Sequence, residues 1–117
     1  MLRYLFVFMI FIHGLIHLMG FAKAFGYGNI DQISSGISHI NGVFWLLAFL
    51  LFVLACILFL LKNDNWLWIA ILGSIISQVL IFKLWNEAKF GTIANLLIVA
   101  VVIVVIAGKE MKFIFRD

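Results

Sequence analysis

The spacing of charges constrains this chain more than any other feature. Asp, Glu, Lys and Arg are absent from 4–22, 32–61, 65–82 and 90–108, windows of 19, 30, 18 and 19 residues. A helix needs roughly 20 apolar residues, at about 1.5 Å each, to cross about 30 Å of hydrocarbon. Four such windows in 117 residues predict four transmembrane helices joined by short loops, with a charged tail of nine residues after Gly108. Composition agrees. The chain is 67% hydrophobic and 11% charged, against roughly 45–50% and about 25% in a soluble domain. It cannot cover an aqueous surface, and it is too apolar for disorder.

The helices are expected at about 2–24, 42–61, 66–85 and 92–107, in a single domain over 1–117. Arg3, the apolar run and Ala22-Lys23-Ala24 have the outline of a cleaved signal peptide. The run is longer than such a segment needs and carries His13, Gly14 and His17, so a retained first helix is expected. Between the first two helices, Ile30, Ile33, Ile37 and Ile40 recur at helical spacing. They predict a short amphipathic segment lying at the membrane surface. Lys62-Asn63-Asp64-Asn65 is a tight polar turn, which makes an antiparallel hairpin of helices two and three. Trp45, Trp66, Trp68 and Trp85 fall near predicted helix ends, the positions of the two aromatic belts of a bilayer.

The predicted fold is an all-α, four-transmembrane-helix bundle. Four spans place both termini on one side, with Arg3, Lys62, Lys109, Lys112 and Arg116; Lys23, Lys83 and Lys89 lie opposite. That bias favours termini facing inward. The net charge of +3 reflects these helix-end residues rather than a basic patch, so no nucleic-acid partner is expected. The expected partners are the lipid bilayer and a second copy or another membrane protein. Cys56 is the only cysteine, which excludes an internal disulfide. No internal repeat is evident.

Chemistry is sought in polar groups that a bilayer penalises. The first helix holds His13-Gly14-Leu15-Ile16-His17, two imidazoles four apart on one face. The third holds Ser74, Ser77 and Gln78, with Gly73 and Ser77 a small-xxx-small pair, and the fourth holds Thr92 and Asn95. His17, Gln78, Asn95, Glu87, His39 and Asn41 all fall in the half of the membrane away from the termini. One-sided placement fits a pocket opening on that side, with His13, His17, Gln78, Asn95 and Glu87 as its candidate ligand-binding residues. The plainer alternative is that these groups tie helices together by hydrogen bonds of about 1 kcal/mol each.

For the histidine pair four roles compete. An i, i+4 pair can give two ligands to a transition metal, with a third from Glu87, His39 or Cys56. Haem is not expected, since imidazoles on one face cannot ligate an iron from opposite sides. A titrating site and simple packing, with ring nitrogens bonded to Gln78 or Asn95, complete the set. HGLIH differs from the zinc-protease HExxH, whose glutamate is here Gly14. No Ser-His-Asp set, CxxC pair, phosphate loop or paired in-membrane carboxylates occur, so rhomboid-like or metalloprotease catalysis is unsupported. In Trp85-Asn86-Glu87-Ala88-Lys89, Glu87 either roofs the pocket or stabilises the positive end of the following helix.

His13 to Gly26 (HGLIHLMGFAKAFG) and Trp85 to Asn95 (WNEAKFGTIAN) together resemble a group of uncharacterised bacterial four-helix membrane proteins of the DoxX-like size class. The resemblance spans nearly the whole chain and implies a bacterial inner-membrane location, but no established activity. Small multidrug transporters are similar only in size and in a titratable residue in helix one, a histidine here. The leading expectation is a binding protein with a polar pocket at the His pair for a metal ion or small ligand. The alternatives are a non-catalytic subunit of a membrane complex and a minimal dimeric proton-coupled transporter.

Overall fold

A chain surrounded by hydrocarbon must pair its backbone groups within itself, and a run of apolar residues without proline does so as helix. In the computed structural model, which describes residues 2–26 and 38–107, the helices are α1 (Leu2–Ala24), α2 (His39–Leu60), α3 (Trp66–Lys83), α4 (Trp85–Ala88) and α5 (Gly91–Ala107). No strand occurs among the described residues. The fold is an all-α bundle of four long helices, with α4 a single extra turn. α1 packs along α2, α2 along α3 and α3 along α5, whereas α1 and α5 touch over only a short stretch.

The boundaries differ from expectation where capping chemistry decides them. α2 starts three residues before Gly42 because Ser38 is its N-cap, its hydroxyl accepting from the Asn41 amide at 3.2 Å. α3 stops at Lys83 rather than Trp85, and the polar stretch after it folds into α4 instead of an open turn. Three of the four isoleucines of the amphipathic segment, Ile30, Ile33 and Ile37, lie outside the described residues. Ile40 belongs to α2 and is exposed.

Three helices, α1, α2 and α3, are long and apolar enough to cross a membrane; α5 is a shorter apolar helix. Their outward faces carry Phe8, Leu50, Ile75, Val79, Leu96 and Ile103, all exposed. Helices apolar on every side suit a lipid environment. The Val/Ile run of α5 is split by its periodicity, Ile98, Val102 and Val105 facing inward and Ile103, Val104 and Ile106 outward.

The two ends of the bundle are built differently. At the end holding the start of α1, here called the base, Phe6, Phe59 and Trp66 pack edge to face with ring centroids 4.9–5.7 Å apart. Trp66 is therefore a core residue rather than an interface indole, while its neighbour Trp68 is exposed. Arg3 is also buried there. Its Nη2 donates to the carbonyls of Phe59 and Leu60, each at 2.8 Å, and its guanidinium lies 4.9 Å from the Phe59 ring centroid. A cation on the last carbonyls of α2 meets the negative end of that helix. Lys62, with φ of 60°, closes α2, its amide bonding Phe59 O and the next amide bonding Leu58 O. At the opposite end, the crown, Trp45 fills the space left by Gly20, where any Cβ would overlap the indole. Trp45, expected near an interface, is thus buried between α1 and α2.

Candidate functional site

The site begins with an aromatic wedge. Phe52 of α2 is fully buried, and the rings of His13 and His17 pack on it at centroid distances of 5.0 and 5.3 Å. The two imidazoles meet edge to face at 4.6 Å. Both are buried, as are Ser77 and Asn95, so helices α1, α3 and α5 turn their polar stripes toward one another inside the bundle.

The hydrogen bonds have a deducible direction. His17 Nδ1 lies 2.7 Å from the His13 carbonyl oxygen, and a carbonyl only accepts, so Nδ1 donates. A neutral imidazole has one N–H. Nε2 therefore accepts, and the Ser77 hydroxyl, 2.6 Å away, donates to it. Ser77 Oγ then has only acceptor capacity left, which Asn95 Nδ2 meets at 3.0 Å. This orients the Asn95 amide. Its Nδ2 also donates to Gln78 Oε1 at 3.0 Å, and its Oδ1 accepts from His13 Nε2 at 2.8 Å. Gln78 Nε2 donates onward to Thr92 Oγ1 at 2.9 Å. The circuit returns to the residue where it started, and His13–Asn95 ties α1 to α5 across 82 residues of chain.

One nitrogen stands outside the circuit. Among the described residues no hydrogen bond reaches His13 Nδ1. Among the described residues Ser74 Oγ is the one fully buried side-chain polar atom without a partner, so Nδ1 is not sealed within protein. His13 instead borders a cavity of about 570 Å³. That volume falls within the range of small-molecule sites, about 300–1,000 Å³. The lining is overwhelmingly apolar: Ile12, Met19, Trp45, Ile81, Phe90 and Ala94 are typical, and His13 and His17 are its polar members.

The upper part of the cavity lies beyond the start of α5. A Cβ on Gly91, its first residue, would lie 2.9 Å from Ile81 Cδ1 and 3.5 Å from His13 Cε1. The N-terminus of α5 is thus level with the middle of α1. From His13 to Ala24, α1 continues another eleven residues, about 16 Å. The gap above α5 is roofed by α4 and Phe90, with Ala88 and Leu84 in its wall. Having no side chain, Gly91 lets the start of α5 sit this close to Ile81 and His13.

Of the expected site residues, the structure brings His13, His17, Gln78 and Asn95 into one network. The cavity wall holds His13 and His17, whereas Gln78 and Asn95 stand behind them. Glu87 lies in α4, and its side chain is outside what the structure describes. The other two candidates for a third metal ligand lie elsewhere. His39 stacks on Phe25 at 4.7 Å, and Cys56 donates to Val7 O at 3.6 Å toward the base. Among the described residues no three His, Cys, Asp or Glu side chains form a metal-binding group. Three of the four imidazole nitrogens are engaged by protein partners, so the pair does not offer two free nitrogens to one point. Sequence reasoning missed the lining residues Met19, Phe90, Gly91 and Ala94; the only local signal was a glycine opening a helix. Comparison of the chain with protein-family models, with curated proteins and with solved structures gave no match.

Proposed function

We propose that this chain is an integral membrane binding protein whose pocket lies beside the His13/His17 pair and takes a small organic ligand. The observation that carries the reading is the cavity of about 570 Å³ with His13 in its wall. Convergence of the polar groups inside one bundle supports a pocket over an external interface with another subunit. The tightly packed base gives no support to a pathway through the molecule, as a transporter requires. The engaged imidazole nitrogens favour an organic ligand over a metal ion. In this reading the chain resides in a bacterial inner membrane with both termini inward, as the Lys/Arg bias suggests.

The test is mass spectrometry of an organic extract, with elemental analysis, of detergent-purified wild type beside Ala94→Trp, which fills the cavity. The expected result is about one small molecule per wild-type chain, lost in Ala94→Trp, and no stoichiometric metal. Metal at one per chain would replace the reading with a metal site. Equal small-molecule content in both proteins would mean the cavity is not the binding site.

A further inference from the structure

The ligand's chemistry can be read from three properties of the cavity. The first is its access. Phe8, Ile12 and Ile16 of α1 line it and are also exposed on the outer face of the bundle, at 64, 40 and 52%. Phe90 beside them is 74% exposed. The cavity's rim is therefore formed by residues that face lipid, along the seam where α1 and α5 touch least. A ligand that enters here comes from the hydrocarbon and does not cross water.

The second property is charge. Among the side chains the structure describes, no Lys, Arg, Asp or Glu lines the cavity. A carboxylate, phosphate or ammonium head would lie at bilayer depth without a counter-ion, an arrangement membranes strongly disfavour. The head group is uncharged.

The third is the direction of the unused hydrogen bond. His13 Nε2 carries the ring's hydrogen because Asn95 Oδ1 accepts from it, and Asn95 is oriented in turn by Ser77, His17 and the His13 carbonyl. Nδ1 of the neutral ring is then a lone pair. The site asks for a donor. A ketone, ether or ester oxygen cannot supply one, whereas a hydroxyl or phenol can.

Resting on the binding reading above, we infer that the pocket takes a bilayer-dissolved amphiphile with an uncharged hydroxyl head, which enters between α1 and α5 and donates its O–H to His13 Nδ1. Aliphatic alcohols and phenols share this chemistry. Along α1 the wall runs from Phe8 to Met19, eleven residues or about 16 Å, so the site accepts an elongated chain with its head near the middle of that length.

The experiment is photo-crosslinking of the protein in zwitterionic lipid nanodiscs by a long-chain primary alcohol with a diazirine on its chain. Cross-linked peptides are mapped and competed with unlabelled 1-hexadecanol, its methyl ether, hexadecane and a long-chain alkylphenol. Labelling is expected at Met19, Phe90 and Ala94, and is expected to vanish in Ala94→Trp. Hexadecanol or the phenol should compete about tenfold better than the ether or alkane, the worth of one hydrogen bond in a dry site. Which of the two wins distinguishes aliphatic from aromatic hydroxyl ligands. In His13→Phe, which keeps a ring on Phe52, cavity labelling should persist and the preference for alcohol over ether should disappear. Equal competition by ether and alcohol in the wild type, with labelling still in the cavity, would overturn the hydroxyl inference and leave the binding reading standing. Labelling scattered over the outer faces and unchanged in Ala94→Trp would overturn both.

Discussion

The base and the crown of this bundle solve the same problem, holding four apolar helices together in lipid, by different means. At the base, aromatic rings interlock and one buried guanidinium clamps the end of α2. At the crown, the helices are joined by a circuit of neutral hydrogen bonds and stand around a cavity. Lipid provides no hydrophobic drive between helices, so shape and hydrogen bonding must both contribute. The lesson is a division of labour: where packing is complete the polar groups are few, and where packing is deliberately incomplete the polar groups supply the cohesion.

The sharpest way to break this contrast is Asn95→Leu. It removes three hydrogen bonds of the crown and leaves a donor on His13 and acceptors on Ser77 and Gln78 without their Asn95 partner. At about 0.6 kcal/mol for an average bond between membrane helices, the expected loss is about 2 kcal/mol, read from unfolding in mixed micelles. A loss below about 0.5 kcal/mol would show that the circuit contributes no cohesion. Next comes the base. Arg3→Met keeps a long apolar stem but takes the guanidinium donor away from the carbonyls of Phe59 and Leu60. The expected cost is about 1 kcal/mol, with faster amide exchange at the start of α3 and unchanged exchange at Asn95. If exchange changed at both ends equally, the two regions would not be separable. The smallest effect is a gain. Lys62 holds a left-handed backbone that glycine adopts freely, and Lys62→Gly should stabilise by about 0.5–1 kcal/mol. A loss of stability there would mean that the lysine side chain matters more to the base than its backbone strain.

Much of the architecture was readable from the absence of charge, because three of the four charge-free windows are 18–19 residues, about the length of a membrane span, and the fourth is longer. Helix ends were less legible. Ser38 and Leu84 set them through local hydrogen bonds that compete with hydrophobicity, and hydropathy does not register such bonds. Four candidate residues, His13, His17, Gln78 and Asn95, stood out because polar atoms in apolar windows are conspicuous. Their grouping followed from helical spacing, and their directions did not. Tautomers and amide orientation depend on one carbonyl oxygen, that of His13, which no residue code records. Arg3 was hidden for the opposite reason. A cation near a helix start is ordinary, and its burial depends on where the far end of α2 arrives.

The lateness of α5 has a consequence for the surrounding membrane. α5 begins at Gly91, beside His13, while α1 continues for eleven more residues to Ala24, about 16 Å. At the crown the flank at α5 is thus shorter than the flank at α1. Hydrophobic mismatch of this kind is relieved by thinning the bilayer locally or by tilting the body within it. Either response acts on the flank where α5 meets α1, so the acyl chains nearest the rim of the cavity are the ones whose packing the protein disturbs.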